Sequence, residues 1–224
     1  TIINNLEDFI KIPQGIDILQ KEITTLAISG QLVPQNLKED GIVELNVQSI
    51  GKTRKSKKYQ EKSQETKLIS KQEIPFDIPT SWKWVRFGDV CDAQGGSQPP
   101  KSKFVYEETP NYVRFLQIRD FSSDNNITFI PINNKNKMCD TEDILIGRYG
   151  ASVGKILTGK SGAYNVAIIK TFPDTALLNK EYFYNFLLSD YMQRWFSSLT
   201  RAAQAGFNKD DLFPRPLPLP PFTE

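Results

Sequence analysis

Residues 143–172 read DILIGRYGASVGKILTGKSGAYNVAIIKTF, and this stretch decides the expected fold. Three short apolar runs, at 144–146, 153–157 and 166–171, are separated by two turns that contain glycine. Short apolar runs that are rich in β-branched residues and bounded by glycine are typical of strands. The stretch therefore predicts strand, turn, strand, turn, strand in the middle of a compact sheet.

The polar residues of this stretch lie around the glycines, and they are Arg148, Tyr149, Ser152, Lys155, Lys160, Tyr164 and Asn165. They supply hydrogen-bond donors, cations and flat rings, whereas nucleophiles and metal ligands are not prominent among them. This chemistry favours binding of a polar polymer over catalysis.

Helices are predicted before and after the central stretch in the sequence. Residues 2–11 and 16–29 place apolar side chains at helical spacing, with Gly30 as a C-terminal cap. Strands are expected around 81–90, 111–119 and 127–130, and Asn179 is expected to cap one helix that runs to residue 199. Its buried stripe would be Tyr184, Leu188, Met192, Trp195 and Leu199. The predicted class is mixed α/β (α+β): a compact twisted β-sheet with covering helices and an N-terminal helical arm.

The apolar stripe of the second N-terminal helix consists of Ile16, Leu19, Ile23 and Leu26. Such a stripe needs a partner surface, because an isolated helix cannot bury it. Ordinary packing against the core and contact with a helix outside the domain both remain open. We take these four residues as candidate partner-binding residues.

Charge divides the chain into three parts. Residues 1–51 contain 3 Lys+Arg and 7 Asp+Glu (−4), residues 52–71 contain 8 and 2 (+6), and residues 72–224 contain 17 of each (0). The lysine-rich run is typical of a solvated linker. We expect a helical arm at 1–51, a basic linker with an extended lead-in at 52–80, and the globular domain at 81–224. The zero net charge of residues 72–224 argues against a protein that coats DNA without sequence preference. It is compatible with a basic face on one side of the domain.

Several functional classes are disfavoured by composition. The chain has no histidine, and its two cysteines, Cys91 and Cys139, are far apart and outside any CxxC motif. A metal site, a disulfide framework and histidine-based catalysis are therefore not expected. No apolar run approaches the roughly 20 residues that a membrane span needs. No export signal is recognisable, so a cytoplasmic location is expected.

Four segments in this order resemble the specificity subunit of type I restriction-modification systems. They are ILQKEITTLAISGQLVPQ, EIPFDIPTSWKWVRFGDVC, DILIGRYGASVGKI and AGFNKDDLFPRPLPLPPFTE, and together they extend over nearly the whole chain. Full-length members of the family carry two target-recognition domains, each followed by a long helical spacer. The resemblance implies that residues 81–224 are one target-recognition domain. The chain looks like the N-terminal half of such a subunit or a natural half-subunit.

The resemblance also implies a non-catalytic role without a cofactor. The chain would recognise one half of a split double-stranded DNA sequence and recruit methyltransferase and restriction subunits, together with a second recognition half or a copy of itself. Sequence recognition needs donors and acceptors at base edges, and phosphate contacts position them. The candidate DNA-binding residues are Ser97, Gln98, Lys101, Lys103, Arg114, Gln117, Arg119, Arg148, Tyr149, Ser152, Lys155, Tyr164, Asn165, Arg201, Gln204, Asn208 and Lys209.

Two enzymatic hypotheses and one binding hypothesis compete with this interpretation. An adenine methyltransferase would need Asp or Asn before Pro-Pro-aromatic, whereas Leu219 precedes Pro220, Pro221 and Phe222. A nuclease would need an acid-x-Lys element after Pro173-Asp174, and residues 181–183 read EYF instead. A β module that binds only protein remains the alternative, and it would have no affinity for DNA.

Overall fold

The computed structural model describes residues 12–35, 69–200 and 206–221. Its helices are α1 (Gly15–Ile28), α2 (Phe87–Val90), α3 (Lys180–Leu188), α4 (Asp190–Leu199) and α5 (Lys209–Leu212). Its strands are β1 (Lys83–Arg86), β2 (Cys91–Gly95), β3 (Tyr112–Leu116), β4 (Phe129–Pro131), β5 (Met138–Cys139), β6 (Leu145–Gly147), β7 (Ile156–Leu157), β8 (Gly162–Tyr164), β9 (Ile168–Pro173) and β10 (Pro216–Leu219). Turns of 3-10 helix lie at Lys71–Glu73, Lys101–Lys103, Ile118–Phe121 and Gly150–Ser152.

The described strands form three sheets. The first has the order β2-β9-β6-β7 and is antiparallel throughout. The second has the order β4-β3-β8-β5, in which β3 and β8 run parallel. Strands β1 and β10 pair antiparallel with Lys83 opposite Leu219, so the first and last strands of the domain lie side by side.

The main core lies between the first sheet and the helices. Phe87, Phe183, Phe186 and Phe196 are fully buried there, and the rings of Phe87 and Phe183 are 5.5 Å apart. A second cluster contains Leu145 of the first sheet and residues of β3 and β8 from the second. Burial of each large apolar side chain stabilises the fold by about 1.5–3 kcal/mol. The two cores hold the sheets and helices as one body.

The mixed α+β class and the N-terminal helix are confirmed. The central stretch is more divided than expected, because the predicted second turn contains strand β8, which belongs to the other sheet. Gly162 has φ of +151°, and a Cβ there would lie 2.6 Å from the Arg114 carbonyl oxygen. Glycine therefore lets β8 approach β3 closely, and the sequence pattern alone does not distinguish this from a turn.

The prediction of a single helix from residue 180 to residue 199 was wrong. The helix ends at Leu188, and Ser189 begins α4 as its N-cap, with its Oγ accepting from the Met192 N–H. The same hydroxyl donates to the Phe186 carbonyl oxygen at 2.6 Å. The break leaves Leu188 43% exposed. Met192 of the predicted stripe is fully buried, and Tyr184, Trp195 and Leu199 are partly buried. The other fully buried positions, which the stripe did not include, are Phe183, Phe186, Leu187 and Phe196.

Helix α1 packs on the covering helices α3 and α4, and its last residue, Ile28, belongs to the main core. Ser29 and Gly30 follow as the cap, and Gly30 has the positive φ that the sequence predicts for a helix end. The predicted helix at 2–11 lies outside the described residues. Among the helices that are described, none has the length and apolar character to cross a membrane.

Candidate nucleic-acid interface

Four strand ends meet at one place, which we call the junction. It consists of residues 95–98 at the end of β2, residue 117 after β3, residues 148–149 after β6, and residues 165–167 after β8. Backbone hydrogen bonds tie these loops together: Ser97 N–H donates to the Tyr164 carbonyl at 3.1 Å, Asn165 N–H to Leu116 at 2.9 Å, and Arg148 N–H to Ala167 at 2.9 Å. Both four-stranded sheets contribute strands to the junction. The core therefore positions its loops, in addition to the hydrogen bonds between them.

Gly96 allows the closest approach within the junction. A Cβ at this position would overlap the carbonyl oxygens of Tyr164 and Asn165, so only glycine fits. Ser97 and Asn165 then form a parallel bridge, which places the following side chain, Gln98, beside Asn165. The Asn165 Nδ2 donates to Gln98 Oε1 at 2.7 Å. The structure thus brings together three of the predicted residues.

Arg148 is half-buried at the centre of the junction. Its Nε donates to the Val166 carbonyl oxygen at 2.7 Å, and its guanidinium lies 4.6 Å from the centre of the Tyr149 ring. Within the described residues, no hydrogen bond or ion pair occupies its two terminal nitrogens. Asp143, which could have neutralised it, accepts instead from Lys170. Arg148 therefore keeps a charged two-donor edge beside the exposed ring of Tyr149.

Tyr149 also connects the junction to the C-terminal part. It bridges Gly206, and Phe207 N–H donates to the Arg148 carbonyl at 3.2 Å. A Cβ at Gly206 would lie 2.7 Å from the Tyr149 ring, so the two segments touch. Two further candidates, Arg201 and Gln204, lie outside the described residues.

Exposed cations surround the junction. Lys101 and Lys103 lie on an exposed 3-10 turn after Gln98, and Lys155 is exposed after the half-buried Ser152. Within the described chain, none of these lysines has an ion-pair partner. They are free to contact an anionic polymer.

A cleft of about 270 Å³ opens beside Ser97, Gln98 and Lys103. Its floor is apolar, and its rim includes Asn133, Lys135 and Asn136, which the sequence interpretation missed. The signal was present, because residues 133–137 read NNKNK and begin two residues after the end of β4. A polar, basic run close to a strand end is typical of a ligand-binding loop, as is the loop at 97–103.

Arg114, Gln117 and Arg119 each have an acidic neighbour. Arg114 pairs with Asp124, which also accepts from Lys160 at 2.8 Å. The Lys160 ammonium and the Arg114 guanidinium hold the pKa of the Asp124 carboxyl below its usual range. Arg119 is exposed, with its Nε 3.9 Å from Asp120. Gln117 is half-buried, and its N–H donates to Asp120 at 2.6 Å.

Three other candidates have structural roles in the fold. Tyr164 is fully buried, burial raises the pKa of its hydroxyl, and that hydroxyl donates to the Gln94 carbonyl at 3.2 Å. Asn208 is the N-cap of α5, with its side chain accepting from the Asp210 N–H. Lys209 lies 3.3 Å from the carboxylate of Asp92, which is 8% exposed. In this conformation the Tyr164 side chain cannot reach a ligand at the surface.

The candidate partner-binding residues of α1 separate into two pairs. Ile16 and Ile23 are 57% and 42% exposed, whereas Leu19 and Leu26 are half-buried. The domain therefore covers part of the stripe, and apolar surface remains at Ile16 and Ile23.

Cys91 and Cys139 are free, buried thiols. Burial raises the pKa of both, that of Cys139 to about 11. Across residues 12–35, 69–200 and 206–221, no three His, Cys, Asp or Glu side chains are grouped to hold a metal ion.

Comparison with known proteins gives two curated relatives that are specificity subunits of type I restriction enzymes. The MjaVIII subunit of Methanocaldococcus jannaschii is 26% identical over 149 residues, which are 66% of this chain and 34% of that protein. The EcoAI subunit of Escherichia coli is 31% identical over 85 residues, which are 37% of this chain and 14% of that protein. The matched segments are thus about a third or less of the curated relatives.

A solved structure from work on complex assembly and conformational transition of the type I restriction-modification system has a similar fold. It aligns with 99% of this chain and 47% of its own chain, with a TM-score of 0.53 and 19% identity. Residues 79–224 match the family described as the type I restriction modification DNA specificity domain, which is more than half of the chain. The resemblance drawn from the four sequence segments is thereby confirmed, and the chain belongs to the type I restriction-modification DNA specificity family.

Proposed function

We propose that this chain recognises one half of a bipartite duplex DNA target and holds methyltransferase and restriction subunits of a type I complex at that site. Type I specificity subunits recognise DNA and have no catalytic activity of their own. The observation that carries the proposal is the junction, where Gln98 and Arg148 keep free hydrogen-bonding capacity at the ends of strands from both sheets.

Major-groove recognition of DNA suits this chemistry. The major groove distinguishes all four base pairs, and Arg and Gln side chains supply the paired donors and acceptors that recognise purines there. The terminal nitrogens of Arg148 form a fork that matches the two acceptors of guanine. Because the junction is tied to the core by backbone hydrogen bonds, little conformational entropy is lost on binding.

Phosphate contacts would come from the lysines around the junction. Lys101, Lys103 and Lys155 are exposed, and in the described chain their charges are not neutralised by acidic neighbours. Such contacts position a protein on the duplex without specifying sequence. Arg114, by contrast, is paired with Asp124 and would have to leave that carboxylate before it could contact DNA.

The proposal includes the division of the chain into an arm at 1–51, a linker with lead-in at 52–80 and the recognition domain at 81–224. Since the chain spans only part of its relatives, a second recognition half would come from further sequence or from another copy. The exposed Ile16 and Ile23 of α1 are the surface we assign to assembly. The cytoplasm is the expected location.

Selection of bound duplexes from a randomised pool tests DNA recognition directly. We expect the chain to enrich one sequence motif, and cells that carry it to gain methylation at a bipartite site containing that motif. A scrambled duplex is the control. If no duplex is enriched and the chain shows no affinity for DNA at low salt, the chain is a protein-binding module instead.

Assembly is tested by changing Ile16 and Ile23 to Asp together. Both side chains are exposed, so the domain should stay folded while association with methyltransferase subunits or a second copy weakens. Lys21→Gln, at an exposed polar position of the same helix outside the apolar stripe, is the control. Unchanged sedimentation of the double variant with its partners would contradict this assignment.

A further inference from the structure

The amide of Gln98 has a fixed direction, and a backbone group fixes it. The Ala167 N–H can only donate, and it donates to Asn165 Oδ1 at 2.6 Å. The other end of that amide must then be Nδ2, which can only donate, and it faces Gln98 at 2.7 Å. The Gln98 atom that receives this bond is therefore the oxygen. One backbone N–H thus determines the orientation of two side-chain amides.

The remaining hydrogen-bonding capacity of Gln98 is an acceptor beside a donor. Its Oε1 has a second lone pair, and its Nε2 has two hydrogens, of which one makes a long contact of 3.3 Å to the Pro99 carbonyl. The side chain is exposed at the mouth of the cleft described above. An acceptor and a donor on one planar edge can engage a ligand through two hydrogen bonds at once.

That pair of groups complements adenine in the major groove. Adenine offers the N6 amino donor and the N7 acceptor side by side, whereas guanine offers two acceptors, O6 and N7. Against guanine, Gln98 Oε1 would face another oxygen. Cytosine and thymine each offer a single polar group on this edge. Fixing the amide therefore converts a side chain that could adapt to several bases into one that selects adenine.

We propose that Gln98 is a specificity-determining residue that recognises an adenine, and that Asn165 is the positioning residue that orients it. This inference rests on the proposed DNA recognition and deepens it, because it assigns a base to a residue. The bridge between Ser97 and Asn165 and the tight approach at Gly96 hold both amides on rigid backbone. Such preorganisation lowers the entropic cost of binding.

The test uses the 224-residue chain, random-pool selection and one modified base. We expect the wild-type motif to contain an adenine whose replacement by 7-deazaadenine, which lacks the N7 acceptor, weakens binding by about 5- to 150-fold. In Gln98→Ala the motif should become degenerate at that position alone, and 7-deazaadenine should have no further effect. Because Gln98 is exposed, this variant should fold as the wild type does.

Asn165→Asp tests the positioning role. The carboxylate can still accept from the Ala167 N–H, but it presents an acceptor to Gln98, so the Gln98 amide should reverse. We expect the preference for adenine to fall about as far as in Gln98→Ala although Gln98 is intact. An Asn165→Asp variant that keeps the adenine preference would reject the positioning role.

The outcomes distinguish failure of DNA recognition from failure of the Gln98 assignment. If the wild-type chain enriches no motif, the proposed function is wrong and the inference falls with it. If it enriches a motif that is unchanged in Gln98→Ala at every position, DNA recognition stands and the assignment of Gln98 is wrong. Loss of binding to all duplexes alike would show a phosphate contact and would also overturn the assignment.

Discussion

Replacement of Arg148 by alanine is expected to remove recognition of one base pair. The guanidinium keeps two terminal nitrogens free at the junction, and a bidentate contact of this kind with guanine contributes about 1–3 kcal/mol of discrimination. The Arg148→Ala variant should therefore bind its cognate duplex about 5- to 150-fold more weakly, at about 1.4 kcal/mol per tenfold change. Its affinity for unrelated duplexes should fall far less.

The same substitution has a cost in stability that must be measured separately. Arg148 Nε donates to the Val166 carbonyl at 2.7 Å, and a hydrogen bond from a charged group contributes about 1.5–3 kcal/mol to the free energy of unfolding. For a domain of this size that corresponds to a decrease in Tm of roughly 3–12 °C. Binding should therefore be measured well below the melting temperature of the variant.

Two companion variants separate charge from geometry. Arg148→Lys keeps the positive charge and removes the fork, so nonspecific binding should persist while discrimination at the one base pair falls. Gly95→Ala leaves Arg148 in place, but the new methyl group would lie 3.2–3.3 Å from three atoms of the guanidinium and displace it slightly. A smaller loss at the same base pair is expected.

Fluorescence anisotropy titrations of cognate and single-substituted duplexes, at several salt concentrations, measure these effects. Thermal melting by circular dichroism measures the stability cost. An Arg148→Ala variant that melts earlier but discriminates between duplexes as well as the wild type would show that Arg148 only stabilises the strand end. Arg148 would then no longer support the assignment of the junction as the base-recognising surface.

Three further predictions follow from other parts of the domain. Lys155→Ala should weaken cognate and unrelated duplexes alike and lower the slope of log K against log salt by about 0.9, as for one lost phosphate contact; a change confined to the cognate duplex would contradict this role. Gly154→Ala should lower the free energy of unfolding by roughly 2–5 kcal/mol in urea titrations, because φ is +83° and the Cβ would lie 2.5 Å from Phe196; a loss below about 1 kcal/mol would reject the clash. The pKa of Cys139 is raised from 9.0 to about 11, so its contribution to stability is complete below pH 9 and is lost as the pH rises towards 11. Cys139→Ala should reduce that alkaline loss, and an unchanged pH dependence of unfolding would refute it.

Local patterns in the sequence were sufficient for several elements of the fold. Helix α1 and its glycine cap follow from helical spacing, and the strand at 168–173 follows from β-branched residues after a glycine turn. The break at Ser189 was not predictable in this way. A serine within an apolar helical repeat is compatible with a continuous helix, and only its hydrogen bonds to Phe186 and Met192 show that it ends one helix and begins another.

The candidate DNA-binding residues were predicted from residue type. The structure shows which of them have hydrogen-bond or ion-pair partners within the domain. Gln98 and Asn165 are 67 residues apart, and their hydrogen bond exists because two sheets place their loops together. Arg114 lies within β3 and Arg148 follows β6, and both are arginines of the sheets, yet Asp124 neutralises one of them. Such pairings depend on tertiary contacts, for which a single sequence contains no direct signal.

The pairing of β1 with β10 has a consequence for how the domain is joined to its surroundings. Lys83 and Leu219 are opposite each other, so the two points of attachment are separated by about 5 Å, the spacing of neighbouring strands. The chain between Lys83 and Leu219 therefore begins and ends at neighbouring positions. A different domain with its own terminal strand pair could be joined at these two points if it also offered α1 a surface equivalent to that of α3 and α4. Under the proposed function, such an exchange is expected to change the DNA target.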